Sequence, residues 1–485
     1  MKTTAYKKLL LLFFALSSLL VAQSQQYPDS LIKYLEIAGR NNPDILLKFN
    51  EYQASLQKIP QVGSLSDPEL SMGVFLSPME LVNGKQAADI RLMQMFPWFG
   101  VLKSARDEMS LMANAKFELF RDTKLQVFYE VQRTWYELYK IQKEISISEE
   151  NIEILKTIER LAISGFKAPA AGITGTAASN NQVRSYDSQN NPAGSSGMQG
   201  MGTSRAGNAS SGATQVASSM QSGAMGSYSS GSGLADLYRI QIEAGDLENN
   251  IALLSNQRNT IIAQFNSYLN RPVVSPVYTP DLLTPDSLGL SLVSISDSML
   301  AKNPMLGMLG YEEQSLDARK KMVSRMGYPM VGLGLNYSLI NKNEMVTSSM
   351  NGKDMIMPMV TVTLPVYRKK YIAMQKETDL LKTVASQNYQ VESNRLQTEY
   401  YQALQLYQDA KRRVKLYDNQ SELASKSFDL MLKSFSVSAS DLADVLRVQQ
   451  QKLDYEIKKT EAVTDLNTSI AWLKRLGNLE MYGSQ

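Results

Sequence analysis

The sequence contains neither cysteine nor histidine. Without cysteine there are no disulfides, no thiol nucleophiles and no thiolate metal sites. Without histidine there are no imidazole ligands, no catalytic triads of the usual kind, and no side chain tuned to titrate near neutral pH. What remains offers no catalytic constellation, so the chain is read as a non-enzyme with no cofactor. Long apolar runs are missing too. Beyond residue 21 none approaches the roughly 18 residues that mark a transmembrane helix. If the chain enters a bilayer it must do so as β-strands. An excess of one charge is also absent: 50 Lys and Arg face 47 Asp and Glu, which gives no basic footprint for a nucleic-acid partner.

What is present begins with a short leader. Lys2, Lys7 and Lys8 accompany an apolar run over residues 9–21, and Ala22 and Ser24 follow. A basic start, an apolar stretch too short to span a bilayer and small residues after it form a secretory signal peptide, read here as residues 1–24. Its removal takes away three lysines and no acid, leaving 47 basic and 47 acidic residues and a formal net charge of zero. No cysteine follows the leader, which excludes lipid attachment through a processed N-terminal cysteine.

The most informative signal is a repetition. Residues 234–241 read Leu-Ala-Asp-Leu-Tyr-Arg-Ile-Gln, and residues 442–449 read Leu-Ala-Asp-Val-Leu-Arg-Val-Gln. Other markers recur in the same order. Asn42-Pro43 matches Asn303-Pro304, and Phe96-Pro97-Trp98-Phe99 matches Leu364-Pro365-Val366-Tyr367. The stretch from Gln132 to Tyr136 likewise resembles the one from Gln397 to Tyr401. The mature chain therefore divides into two structural repeats, residues 25–285 and 286–485. A period this long is a duplicated half-protein, not a solenoid unit.

Each copy reads alike. In the first, a helix over residues 31–59 is ended by Pro60 and the Gly63-Ser64 turn signals. Two alternating stretches follow. Leu70, Met72, Val74 and Leu76 share one face of the first, and the second covers residues 90–96. A loop holding Pro78, Asn83 and Gly84 is expected between them. In the second copy Val331, Leu333, Leu335, Tyr337 and Leu339 alternate with Gly332, Gly334, Asn336 and Ser338. Val360, Val362 and Leu364 then alternate with Thr361 and Thr363, after a polar loop over residues 341–354. Such strands suit a transmembrane β-barrel with lipid outside and water inside, or an ordinary half-buried hairpin.

The long segments after Pro97 and Pro365 shift the balance. Residues 101–166 and 368–434 are helix-compatible throughout. Phe128, Val131, Trp135, Leu138 and Ile145, then Ile152, Leu155 and Ile158, keep three- and four-residue spacing, a coiled-coil-like seam. Helices of about 65 residues run about 100 Å, which points to a rod or tube. Return arms over residues 234–270 and 441–478, each stacked on an opening helix, would match a long helix in length. Four strands per chain cannot close a barrel, since the smallest membrane barrels have about 8. Neighbouring chains must pair the edges; two would supply about eight strands and three about twelve.

The Asn-Pro opening helix, the strand ending in Phe-Pro or Leu-Pro, the long helix and the Asp-Leu-Ala-Asp-Val-Leu-Arg-Val-Gln turn over residues 441–449 together resemble TolC-like outer-membrane efflux proteins. The resemblance covers nearly the whole mature chain. It implies a mainly α chain with a small β part, assembled as a homotrimer. Four strands per chain would form a transmembrane twelve-stranded β-barrel in outer-membrane lipid, continued by a long α-helical periplasmic barrel. It further implies a passive exit duct of a tripartite efflux system. Substrate would arrive from an inner-membrane pump of the resistance-nodulation-division type through a periplasmic adaptor (membrane fusion) protein. Val331, Leu333, Leu335, Tyr337 and Leu339 would face lipid. The periplasmic mouth would lie at the helix-hairpin turns. Asp444 falls where the family can carry an acidic gate residue, and Arg447 where its best-known member has a second acid. Asp236 and Arg239 are their first-copy counterparts. Asp and Arg three apart share a helix face. They form either a solvated pair near a helix start, where Asp favours the dipole, or a link between helices that holds the mouth shut.

One stretch is not required by that plan. Gln132 and Asp236 are 104 residues apart and Gln397 and Asp444 only 47, so the first copy carries about 57 extra residues. Residues 168–233 are rich in Ser, Gly, Ala and Asn, with only Arg184, Asp187 and Arg205 charged. Such a composition cannot offset its ordering entropy, and a flexible loop at the periplasmic tip, where adaptors would dock, is expected. It holds Met198, Met201, Met220 and Met225. More methionine lies in the strands and outer loop: Met93, Met95, Met345, Met350, Met355, Met357 and Met359. Thioethers are soft ligands suited to Cu(I) and Ag(I); they are equally a pliable apolar filler. Copper, silver or drug efflux all fit. Within transport the alternative is a type I protein-secretion exit duct. Outside it stands a non-pore periplasmic coiled-coil scaffold, which leaves the two strands between a short and a long helix unexplained.

Overall fold

In the computed structural model, which describes residues 31–167, 233–289, 291–345, 347, 349–437 and 440–479, two Asn-Pro steps set the helical plan. Helix α1 (Leu31–Asn41) gives way to α2 (Pro43–Val62) at Asn42, and α5 (Leu292–Lys302) to α6 (Pro304–Met326) at Asn303. Both asparagines are extended, and each Oδ1 accepts from the new helix. Asn42 takes the Asp44 and Ile45 N–H groups at 2.9 and 3.2 Å, and Asn303 those of Met305 and Leu306 at 2.9 and 3.4 Å. Proline at the first helical position lacks the N–H that would otherwise go unmet. The single opening helix expected over residues 31–59 is therefore two helices. The cap side chain supplies the bonds that a continuing helix would have made, and proline disfavours helical geometry in the residue before it.

Strands β1 (Glu69–Leu81) and β2 (Gly84–Phe96) follow α2, and β3 (Met330–Asn341) and β4 (Met355–Thr363) follow α6. Pro78, expected in a loop, lies inside β1, and β2 starts six residues earlier than its alternation suggested. Proline is tolerated there because β1 is an outer strand whose pairing shifts between Val74 and Met79. The reversal is a two-residue turn at Val82 and Asn83, closed by Gly84 at φ 128°. A Cβ at Gly84 would lie 2.4 Å from the Asn341 carbonyl. The four strands form one antiparallel sheet in the order β1-β2-β3-β4.

Each hairpin leads into a long helix, α3 (Val101–Lys167) of 67 residues and α7 (Arg368–Ser436) of 69, close to the lengths expected. At 1.5 Å per residue each is about 100 Å long. Return helices α4 (Gly233–Tyr268) and α8 (Leu442–Leu476) complete the chain. The order of two short helices, two strands, a long helix and a return helix thus occurs twice. Residues 1–30, and with them the leader, lie outside the described residues, as do residues 168–232 with Met198, Met201, Met220 and Met225.

Both α2 and α4 pack along α3, while α6 and α8 each pack along α3 and α7. Asn42 Nδ2 donates to the Tyr268 carbonyl at 2.8 Å, joining the start of α2 to the end of α4. Asn478 Nδ2 donates to the Lys302 carbonyl at 3.1 Å, linking the residues just past α8 to the end of α5, one residue before α6's Asn303 cap. Just past α4 and α8, Asn270 and Asn478 take the left-handed backbone at φ 51° and 49°, which asparagine tolerates better than most side chains. Beside each joint the short helix is buried against its long and return helices. Tyr34 of α1 meets Phe265 of α4 edge-on at 5.1 Å, in one core with Trp135 and Leu138 of α3. Ile295 and Met299 of α5 share a second core with Leu396 and Tyr400 of α7 and Leu473 of α8. No helix among the described residues is long and apolar enough to cross a membrane.

Substituting Asn303→Ala is expected to destabilise the fold by about 1 kcal/mol through loss of the cap. Asn42→Ala should destabilise it further, because the bond to Tyr268 goes as well. Chemical denaturation followed by circular dichroism checks this; midpoints unmoved by both substitutions would show that the caps do not hold the helix breaks.

Candidate functional site

The two helical hairpins end on one apolar cluster. Ile152 and Leu155 of α3, Ile240 of α4, Phe428 of α7, and Val445 and Leu446 of α8 are buried together in it. The starts of α4 and α8 are also tied at the surface, where Gln450 Nε2 donates to Glu243 Oε2 at 2.8 Å. Asp444 lies half-buried in the first turn of α8, and Arg447 Nη2 approaches its Oδ1 at 2.9 Å. That pair is local to one helix and largely solvated, which is worth about 0.2–1 kcal/mol. Asp236 occupies the first turn of α4, and Arg239 is exposed. No ion pair joins these two among the described residues. Both aspartates stand where the unmet N–H groups of a helix start favour a carboxylate.

Apolar spacing did not reveal a polar patch inside the α3–α8 seam. Gln449 is 0% exposed; its Nε2 donates to Asn151 Oδ1 at 2.8 Å, and Asn151 Nδ2 donates to the Ile147 carbonyl at 2.7 Å. Gln449 Oε1 and the buried Ser148 Oγ have no partner. A buried polar atom left unmet costs about 1–3 kcal/mol, so this level of the seam is held less firmly than an all-apolar one. The sequence counterpart of Gln449 is Gln241, which is exposed and donates to Glu159 Oε1 at 3.2 Å. The repetition marks the position but not its surroundings: α8 lies against both α3 and α7, whereas α4 packs chiefly on α3.

A cleft of about 570 Å³ opens between α3, α7 and α8, lined among others by Lys143, Glu150, Asp418, Glu456 and Lys459. Lys459 and Asp418 pair at 2.5 Å, and Lys452 lies 3.6 Å from Glu456. Burial pushes the Glu456 carboxyl above the usual range; Glu150 adds to the rise, while Lys452 and Lys143 oppose it. Because the fold favours the neutral acid, ionising Glu456 costs stability. That cost is absent below the unfolded value near about 4.3 and is complete once the pH exceeds the raised folded value. Glu456→Gln is therefore expected to raise the thermal unfolding midpoint at about pH 8, with the gain shrinking to nothing near about pH 4. A gain equal at both pH values would trace it to something other than charge.

At the opposite end, the sheet presents two unlike faces. Val331, Leu333, Leu335 and Leu339 are exposed and Tyr337 half-exposed along one face of β3. Pairing sets Leu92 beside Leu335, Ile90 beside Tyr337 and Val360 beside Leu333 on that same face. At its foot Trp98 stacks on Tyr328 at 5.2 Å and 14°, and Phe99 and Tyr367 are 87% and 86% exposed. An apolar band edged by aromatic rings has the chemistry of a lipid-facing surface with an interfacial belt. The other face carries Asp89, Arg91, Asn336 and Ser338. It also carries Met93, Met95, Met355, Met357 and Met359, whose shared face is visible only once the register is known.

No known family's sequence profile matches the chain, and neither does any curated protein. Solved structures do match it. The Campylobacter jejuni CmeC outer membrane channel aligns with a TM-score of 0.67 and 12% identity, over 94% of this chain and 87% of its own. CusC, solved in work on folding and transmembrane channel formation, aligns with 0.65 and 10% identity over 94% and 95%. The open state of the Neisseria gonorrhoeae MtrE outer membrane channel gives 0.63 and 12% identity over 92% and 88%. At these identities the likeness is one of fold, and it spans the described chain: this protein has the fold of solved outer-membrane channels.

Proposed function

We propose that this chain is one protomer of a homotrimeric exit duct in the outer membrane, with residues 1–24 as its secretory signal peptide and residues 25–285 and 286–485 as repeated halves. The observation that carries this reading is the sheet. It exposes an apolar face bounded by aromatic rings, and its outer strands β1 and β4 each have a strand on one side only among the described residues. Three copies joined edge to edge would bring about twelve strands to a closed barrel, above the minimum of about 8. The rods, each about 100 Å long, would continue that barrel as a tunnel through the periplasm.

The duct is passive, and the driving energy comes from elsewhere in a tripartite system. An inner-membrane pump of the resistance-nodulation-division type delivers substrate, and a periplasmic adaptor connects pump to duct. The 168–233 segment joins α3 to α4 at the hairpin end, where that adaptor would dock. The mouth closes where the starts of α4 and α8 meet, so Asp236, Arg239, Asp444 and Arg447 are the gate residues. The cargo is copper or silver ions or a drug-like compound, and the methionine-bearing face of the sheet favours the metal ions.

Single-channel conductance in a planar bilayer tests the duct and its gate together. Discrete steps are expected from the purified protein, with longer or larger openings for Asp444→Ala. Steps that the substitution leaves unchanged would remove Asp444 from the gate. A protein that never enters the bilayer would sink the duct and favour a periplasmic scaffold.

A further inference from the structure

On the polar face of the sheet, β3 carries glycine where its neighbours carry methionine. Gly334 pairs with Met93 on β2 and Met359 on β4; Gly332 pairs with Met95 and Thr361; Asn336 pairs with Arg91 and Met357. Directly paired residues share a face about 4.5–5.5 Å apart, and every second residue along a strand returns to it. Met93, Met95, Met357 and Met359 therefore lie on one face, on either side of Gly332 and Gly334. A Cβ built on Gly332 would lie 2.5 Å from Met95 Sδ and 3.4 Å from Thr361 Cβ. The Met95 sulfur thus already reaches over the glycine towards β4.

Methionine is often a pliable filler of apolar interiors, but two observations argue against that role here. Met357 is 45% exposed, so it fills no interior, and the inner face of a membrane barrel is ordinarily polar. Further, Asn336 is only 8% exposed and its Oδ1 has no hydrogen-bond partner. Of its two register neighbours, Arg91 does not donate to it in this structure and Met357 cannot, since a thioether is only a weak acceptor. A cation held by the sulfurs and by that oxygen accounts for both the exposed Met357 and the orphaned carbonyl.

The donor set selects the cation. Uncharged thioethers suit Cu(I) and Ag(I), whereas Mg²⁺ and Ca²⁺ need hard oxygen ligands. No group of three or more His, Cys, Asp or Glu suited to a metal occurs among the described residues. Arg91 opposes a cation on this face, while Glu69, paired with Met93, and Asp89, paired with Ser338, favour one. Neutral ligands also suit transit, which requires a site favourable enough to enter and weak enough to leave.

We propose that Met93, Met95, Met357 and Met359, together with Asn336 Oδ1, form a transit site for Cu(I) or Ag(I) on the inner wall of the barrel. This rests on the reading of the chain as a duct with that face inward, and it names the cargo class.

Isothermal titration of the full-length protein in detergent with silver nitrate, in chloride-free buffer, tests the site. Ag(I) binding is expected in the wild type. It should weaken about tenfold or more in a combined Met93→Leu, Met357→Leu and Met359→Leu variant. Leucine keeps the apolar volume and removes only the sulfur. Replacing Met198, Met201, Met220 and Met225 by leucine should leave the sheet site's affinity unchanged. Equal Ag(I) affinity in the sheet variant, or no binding by the wild type, would overturn the proposal. Conductance measured on the same preparations separates the two readings. Steps without Ag(I) binding would remove the site and keep the duct, whereas Ag(I) binding without steps would remove the duct and the transit role with it.

Discussion

A strand bordering hydrocarbon cannot leave its backbone N–H and C=O groups unmet, and this constraint shapes the chain more than any side-chain contact. The sheet has apolar residues on one face and, among the described residues, outer strands paired on one side only, so a single copy set in lipid would not satisfy it. On the proposed reading, closure by further copies would place the polar face around water. It also fixes where the rods stand, because α3 and α7 begin three or four residues after Pro97 and Pro365, with almost no slack. At that junction Arg325 donates to the Gly100 carbonyl at 2.9 Å and to Ser104 Oγ at 2.8 Å, binding the end of α6 to the start of α3. Gly100 has φ 82°, and a Cβ there would lie 2.5 Å from the Arg325 guanidinium.

Cohesion along the rods is uneven. The cores around Tyr34 and Phe265 and around Ile295 and Leu473 are built of buried apolar and aromatic side chains. The far cluster is interrupted by Ser148, Asn151 and Gln449, two of which keep an unmet atom. Polar groups within a seam favour one register at some expense of stability. Ser148 and Gln449 thus place unmet polar atoms towards the hairpin ends, where the proposed mouth would need to move.

Much of this was legible in the sequence. The long helices end within two residues of the expected positions, because nothing in their unbroken helical spacing competes with continuation. The alternation in β3 and the stacking of opening helices on return arms were also readable. The break at Asn42 was missed because apolar periodicity runs across it, although the Asn-Pro pair carried the signal. Pro78 misled in the other direction, since only the sheet order shows that β1 is an outer strand able to hold it. Gln449 and Asn151 are ordinary residues until three-dimensional packing buries them. Asn336 sits correctly on the polar face of β3, but its unmet oxygen follows from neighbours on two other strands. Asp236 and Asp444 are equivalent in sequence, yet only Asp444 holds its arginine, and no repeat pattern distinguishes them.

The rods differ in how they carry force. Among the described residues, covalent backbone passes unbroken through mid-length only in α3 and α7. The other two are stacks: Asn42, the cap of α2, bonds the end of α4 at Tyr268, and Asn478, just past α8, bonds the end of α5 at Lys302, beside the start of α6. Torque applied at the hairpin ends therefore reaches the sheet along two of the four rods, while the other two yield by shear at their joints. The molecule is built as two torsion bars flanked by jointed struts. Such a frame lets its lower half twist while the end anchored in the sheet stays still.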